Sequence, residues 1–174
     1  MSGVGWIGLG AMGAPMAACA ARAGFAVAAF DIDPRQAAAV AGDGVVAAGS
    51  AAEAAAGADL LVLMVAAPEQ AEAVLFGEGG AAAALDAGAV VVVMSTVGPA
   101  AVTGWKSRLA QFEIALVDAP VSGGVARAGA GDLLRSVQLH RRGCAEADRE
   151  SRGPHQCADR RTRSAIGARH ARGR

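Results

Sequence analysis

Apolar runs bounded by turn residues recur along the first three quarters of the chain. They are "GVGWIGLG" (3–10), "FAVAAFD" (25–31), "GVVAAG" (44–49), "ADLLVLMVA" (58–66), "AVVVVMS" (89–95) and "FEIALVDAP" (112–120). Each is short, rich in Val, Leu and Ala, and apolar enough to predict a strand buried on both faces. Between them lie Ala-rich stretches that predict helices: "AMGAPMAACAARAG" (11–24), "DPRQAAAVA" (33–41), "SAAEAAAG" (50–57), "PEQAEAVLF" (68–76) and a segment opened by Pro99. The punctuation agrees with that division. Gly24 suits the position just past a helix end, Asp33 an N-cap with Pro34 in the first turn, and Ser50 with Glu53 a capping box closed by Gly57. Strand and helix alternate throughout, which predicts an α/β fold with a doubly wound parallel sheet covered on both faces.

The pattern stops after Leu134. From Arg135 to Arg174 large apolar residues are few and neither period is sustained, so this segment could not bury enough surface to offset the entropy lost on ordering. Charge marks the same boundary. The formal net charge is zero, but residues 1–134 carry 5 basic and 12 acidic residues (−7) and residues 135–174 carry 11 and 4 (+7). The expected division is therefore a folded domain over 1–134 and an Arg-rich, disordered or out-of-frame tail over 135–174.

Composition narrows the class. At 174 residues, 53% hydrophobic and 3% aromatic, the core of one domain must be built from Ala, Val and Leu. Three cysteines without a CxxC pair argue against a disulfide scaffold. The absence of a basic leader or of a membrane-length apolar run leads us to expect a soluble, cytoplasmic protein with no membrane partner.

The chemistry starts in the turn after the first strand. Gly8-Leu9-Gly10-Ala11-Met12-Gly13 is a G-x-G-x-x-G between a strand and a helix. Gly8 permits the tight turn, Gly10 lets a pyrophosphate approach the backbone, and Gly13 lets the helix pack on the strand. The phosphates would sit at the helix N-terminus, where unbonded N–H groups and the dipole favour negative charge. In this context the glycines predict a dinucleotide site on a Rossmann-type sheet; a ligand-free turn is the plainer reading. Asp31 closes the second strand, where a carboxylate accepts hydrogen bonds from the adenosine ribose and repels a 2′-phosphate. It favours NAD as cofactor over NADP. Asp31 as a mere turn cap, and Arg35 as a phosphate partner, stay open.

Three stretches, "GLGAMGAPMA" (8–17), "STVGP" (95–99) and "DAPVSGGVARAGAGDL" (118–133), make the chain resemble the N-terminal half of the 3-hydroxyisobutyrate dehydrogenase family of 3-hydroxyacid dehydrogenases. Within it, "EAVLFGEGGAAAAL" (72–85) is most similar to L-threonate dehydrogenases. The resemblance implies hydride transfer between NAD and a small hydroxy acid such as L-threonate, 2-hydroxy-3-oxopropionate or 3-hydroxyisobutyrate. It implies that Val65 and Ala66 lie along the cofactor and that Thr96 faces its nicotinamide end. Ser122, Gly123 and Gly124 would take the substrate's carboxylate and hydroxyl. From spacing alone, Ser95 and Thr96 serve equally as a helix cap ahead of Pro99.

The same resemblance implies a proton-transferring lysine in a Gly-x-x-x-Lys-x-x-Asn helix beyond the substrate motif, and a helical dimerisation domain. Neither is expected within these 174 residues. The chain has one lysine, Lys106, in a segment that reads as a solvated helix, and no Asn. As it stands the chain is expected to hold cofactor without being a competent enzyme. GCC and GCG codons read two positions along encode Arg, so a frameshift near Asp132–Arg135 would explain the tail. Two further readings of that tail are weaker. Nucleic-acid binding lacks Lys and aromatic support, and a zinc set of His140, Cys144, His155 and Cys157 matches no finger spacing, so no metal is expected.

Overall fold

The computed structural model describes residues 3–135 and 138–139. Six parallel strands form its centre: β1 Gly3–Ile7, β2 Ala26–Phe30, β3 Val45–Ala47, β4 Leu60–Leu63, β5 Val90–Val93 and β6 Ala115–Asp118. Their order in the sheet is β3-β2-β1-β4-β5-β6. The chain thus winds outward from β1 in one direction, returns, and winds outward in the other. That reversal beside β1 opens a crevice at the carboxyl ends of the strands. Each crossover carries a helix: α1 Gly13–Arg22, α2 Pro34–Val40, α3 Ala51–Ala55, α4 Pro68–Phe76 and α5 Pro99–Leu109.

Alternation along the strands divides the core between the two faces. Ile7, Leu61, Leu63, Val91 and Val93 pack on one side with Leu75, Trp105 and Leu109 from α4 and α5. Val4, Trp6, Val27, Ala29 and Val62 pack on the other with Met16 and Ala17 of α1. Trp6 stands in register between Ala29 and Val62, so a large indole is accommodated beside a small neighbour. In a core this poor in aromatics, such large-beside-small pairing keeps the layers dense.

The expected caps form with one change. Asp33 accepts the N–H of Arg35, and Ser50 accepts that of Glu53 at 3.0 Å. Glu53, however, reaches back to the N–H of Gly49 at 2.8 Å rather than to that of Ser50. Because Ser50 is fully extended (φ −152°, ψ 165°), its neighbour's amide is also within the carboxylate's reach.

The described residues continue a short way past the boundary expected at residue 134. After β6 the chain forms β7 Val121–Ser122 and α6 Gly124–Ala130; β8 Leu134–Arg135 then pairs antiparallel with β7. β9 Gln138–Leu139 adds an antiparallel seventh strand to the sheet beside β6. Two-residue strands have no period to read; β9 forms on the open backbone edge of β6, whereas β7 and β8 pair with each other in a separate two-stranded sheet. The remaining expectations for the tail (disorder, frameshift, zinc set, nucleic-acid binding) lie outside the described residues. Among the described residues no helix is long and apolar enough to cross a membrane.

Gly5 on β1 tests the closeness of the layers. A Cβ there would lie 2.4 Å from the carbonyl oxygen of Ala54 in α3, whereas one at Gly104 in α5 meets nothing within 4 Å. Gly5→Ala is expected to lower stability by about 1–3 kcal/mol as α3 is pushed off the sheet. Gly104→Ala should raise it by up to about 1 kcal/mol. Urea unfolding of the two variants checks both signs.

Candidate functional site

A cavity of about 470 Å³ opens at the carboxyl ends of β2, β1 and β4. One wall is the turn after β1, contributed by Gly8, Gly10, Ala11, Met12 and Gly13. The end of β2 supplies Phe30, Asp31 and Ile32; Met64, Val65 and Ala66 follow β4, and Gln70, Ala73 and Val74 come from α4. Sequence positions far apart meet here because the strand order places β2 and β4 on either side of β1.

The glycines of the turn have three distinct causes. Gly8 has φ +96°, and a Cβ on it would sit 2.3 Å from the carbonyl oxygen of Met64, so the turn crosses the end of β4 without room for a side chain. A Cβ on Gly13 would lie 2.0 Å from the carbonyl oxygen of Gly8, because α1 rests directly on the turn. At Gly10 a Cβ would meet nothing within 4 Å. Protein packing therefore does not require glycine there, whereas a ligand phosphate brought against the backbone would. α1 also has no acidic residue in its first turn and no side-chain cap, so the positive end of its dipole stays uncompensated by side chains of its own, although the Ala14 N–H is taken by the Gly10 carbonyl.

Asp31 is half-buried beside that turn. One carboxylate oxygen accepts the N–H of Leu9 at 2.7 Å and the other that of Asp33 at 2.9 Å. It is thus a turn cap as well as a cavity residue, and each oxygen keeps a second lone pair for a ribose hydroxyl. Leu9 turns its fully buried side chain into the core, and its amide is committed to Asp31. Arg35 lies outside the cavity lining, with its guanidinium on both oxygens of Asp33 at 2.9–3.2 Å. The Arg35 side chain, followed by its backbone N–H, holds the Asp33 carboxyl below its ordinary value.

Of the readings left open for Ser95, the structure does not bear out the helix cap. α5 is capped by Gly98 without side-chain help, and Ser95 instead continues the buried register of Val91 and Val93. Its hydroxyl accepts the N–H of Val65 at 2.9 Å and donates to the carbonyl oxygen of Val65 at 2.7 Å. A polar residue in a buried register must find partners, and that register was the signal in the sequence. Gln70 was missed altogether. Its side-chain oxygen accepts the N–H groups of Ala66 and Ala67 at 3.0 and 3.2 Å. Pro68 followed by Gln70 at the third helical position carried that information.

Thr96, after β5, is exposed and stands outside the cavity lining. Ser122, Gly123 and Gly124 are exposed beyond β6, with Ser122 paired to Leu134 and Gly123 at φ +142°. Along the sheet the candidate residues follow in spatial order: Asp31, the glycine turn, Val65–Ala66, Thr96 and Ser122–Gly124. Lys106 lies on α5, outside the cavity lining.

Comparison with known proteins agrees on the fold and the family. The profile of the NAD-binding domain of 6-phosphogluconate dehydrogenase matches residues 3–138. The chain is 40% identical over 134 residues to 2-(hydroxymethyl)glutarate dehydrogenase of Eubacterium barkeri, covering 77% of this chain and 44% of that protein. It is 33% identical to 3-hydroxyisobutyrate dehydrogenase of Mycobacterium tuberculosis solved with L-serine (TM-score 0.74; 79% of this chain, 46% of that one). It is 30% identical to Psf3 solved with NADP+ and 2-OPP (TM-score 0.72; 77% and 48%). The chain thus spans about half the length of the relatives it matches.

Ser95→Ala leaves the Val65 N–H without its partner and is expected to cost about 1–3 kcal/mol in urea unfolding. The Asp33–Arg35 pair predicts a pH effect of definite sign. With the folded pKa of Asp33 below its unfolded value, the pair's small contribution is present at neutral pH and disappears as pH falls through the folded value. In a carboxyl NMR titration, Arg35→Ala should move Asp33 back up toward an ordinary carboxyl.

Proposed function

Because this chain belongs to the family of the NAD-binding domain of 6-phosphogluconate dehydrogenase, we propose that it holds a nicotinamide adenine dinucleotide along the crevice edge as the cofactor-binding half of a 3-hydroxyacid dehydrogenase. The observation that carries the reading is Gly10. It is a glycine that packing does not demand, at the mouth of a cavity between the uncompensated end of α1 and the Asp31 carboxylate. The amides of Ala11, Met12 and Gly13 would take the pyrophosphate, and Asp31 the adenosine ribose. Val65 and Ala66 would continue the path toward Thr96 at the nicotinamide end.

Asp31 favours NAD, because a 2′-phosphate would face a carboxylate. Arg35, four residues after Asp31, is already engaged by Asp33. Psf3, solved with NADP+, makes this preference worth direct measurement.

For the substrate we infer a small 3-hydroxy acid such as L-threonate, 2-hydroxy-3-oxopropionate or 3-hydroxyisobutyrate. The support is the "DAPVSGG" stretch, which places Ser122, Gly123 and Gly124 beyond β6 at the same end of the sheet. When bound, the nicotinamide ring supplies a hydride acceptor for the hydroxyl carbon. The proton on the substrate hydroxyl then needs a base, and none of the cavity's side chains is a lysine. Lys106, the single lysine of the sequence, projects from α5 instead. On this reading the 174 residues bind the dinucleotide without turning over a hydroxy acid alone.

Titration with NADH and NADPH by fluorescence tests the reading. NADH should bind tighter by on the order of tenfold or more, since like charges placed together carry a penalty of that size. Gly10→Val should abolish binding while leaving the urea midpoint unchanged. Equal or tighter binding of NADPH overturns the NAD preference, and failure to bind either nucleotide overturns the function.

A further inference from the structure

We propose that the methionines beyond the carboxyl ends of β1, β4 and β5 form a peroxide-sensitive site, and that conversion of Met12 to its sulfoxide shuts off the dinucleotide crevice. The proposal rests on the dinucleotide reading of that crevice. Met12 occupies the N-cap position of α1, Met64 follows β4, and Met94 follows β5. All three are half-buried and pack against the layer that holds Trp6. Met64 and Met94 stand side by side, one step past the paired Leu63 and Val93, on strands that run about 4.8 Å apart. Met12 and Met64 also line the cavity. Their side chains thus lie where a small oxidant can arrive, whereas Met16, 8% exposed, is enclosed.

Trp6 gives the oxidised side chain a partner. Its indole Nε1 is buried and donates to nothing among the described residues. A Cβ on Gly13 would lie 3.4 Å from that nitrogen, so the unpartnered N–H sits beneath the residue next to Met12. A thioether is a weak acceptor and leaves the indole unsatisfied; a sulfoxide is polar and accepts well. In the oxidation a sulfur lone pair takes one oxygen of hydrogen peroxide, the O–O bond breaks, and the second oxygen leaves as water. Sulfur gives up two electrons and peroxide gains them. The new oxygen draws the Met12 side chain toward Trp6, under a turn where α1 already rests directly on Gly8. A shift there displaces the amides that would take the pyrophosphate.

The test begins with graded peroxide, stopped by catalase. Mass spectrometry should find Met12, Met64 and Met94 oxidised before Met16, with NAD+ protecting the first two. Calorimetric affinity for NAD+ should fall about tenfold or more, the effect of one misplaced polar group. Far-UV circular dichroism should stay that of the folded chain. The two methionine sulfoxide reductases, one for each epimer, should restore binding, and dithiothreitol alone should not. Met12→Leu keeps an apolar side chain without the sulfur. Its affinity, whatever the starting value, should change less than about twofold on oxidation, whereas Met94→Leu should lose affinity as the wild type does. Indole emission should shift to the red on oxidation of the wild type and stay in place in Met12→Leu.

An equal loss in Met12→Leu, or undiminished affinity with Met12 fully converted, overturns the site. Recovery in dithiothreitol alone assigns the effect to cysteine and overturns it too, as does a chain that unfolds on oxidation. An unshifted emission overturns the part given to Trp6. An untreated chain that binds neither NADH nor NAD+ overturns the dinucleotide reading, and this proposal with it.

Discussion

The hydrogen bond from the Leu9 amide to the Asp31 carboxylate, 2.7 Å long, joins the turn after β1 to the end of β2. Without it the turn would be tied to the sheet at this point chiefly by the bond from the Gly8 N–H to the Phe30 carbonyl. With it, Leu9 is directed into the core, and the residues after it rise over the crevice toward α1. The same carboxylate takes the Asp33 N–H and so starts the turn into α2. One side chain thereby sets the positions of two crossovers and still faces the cavity. A charged group in that place restricts what can bind as strictly as it holds the backbone.

The opposite wall is held from both sides. Ser95 fixes Val65 from within the sheet, and Gln70 fixes Ala66 and Ala67 from α4. Such a loop has little freedom to rearrange, so the cavity is largely formed before a ligand arrives. Preformed sites lose less conformational entropy on binding than sites that order around their ligand. Behind the loop, Trp105 and Arg108 both donate to Glu72, and the guanidinium of Arg108 stacks 3.7 Å over Phe76, which anchors α4 to α5.

Much of this was legible in the chain. All six parallel strands, the N-caps at Asp33 and Ser50, and the limits of α4 follow from apolar runs and local capping chemistry. The glycine turn and Asp31 were legible because their spacing has few other uses. Ser95 was left with a helix cap as an open reading, since its local context, a serine shortly before a proline, also describes one. Its partners lie 30 residues away on a neighbouring strand. Gln70 was passed over because a Gln near a helix start is ordinary until the loop it holds is seen to line a cavity. β7, β8 and β9 were invisible, as two-residue pairings arise from the edges they meet rather than from their own pattern.

The sequence by itself determined which segments become strands and helices, and that a dinucleotide-type turn follows the first strand. These depend on periodicity, capping and backbone sterics, all of which act over a few residues. Only the tertiary structure decided which segments stand next to each other: β4 beside β1, Gln70 across the cavity from Asp31, Ser95 under Val65. Those neighbours are chosen by the packing of whole layers. Layer packing balances the burial of all strands at once, so no local stretch of sequence contains it.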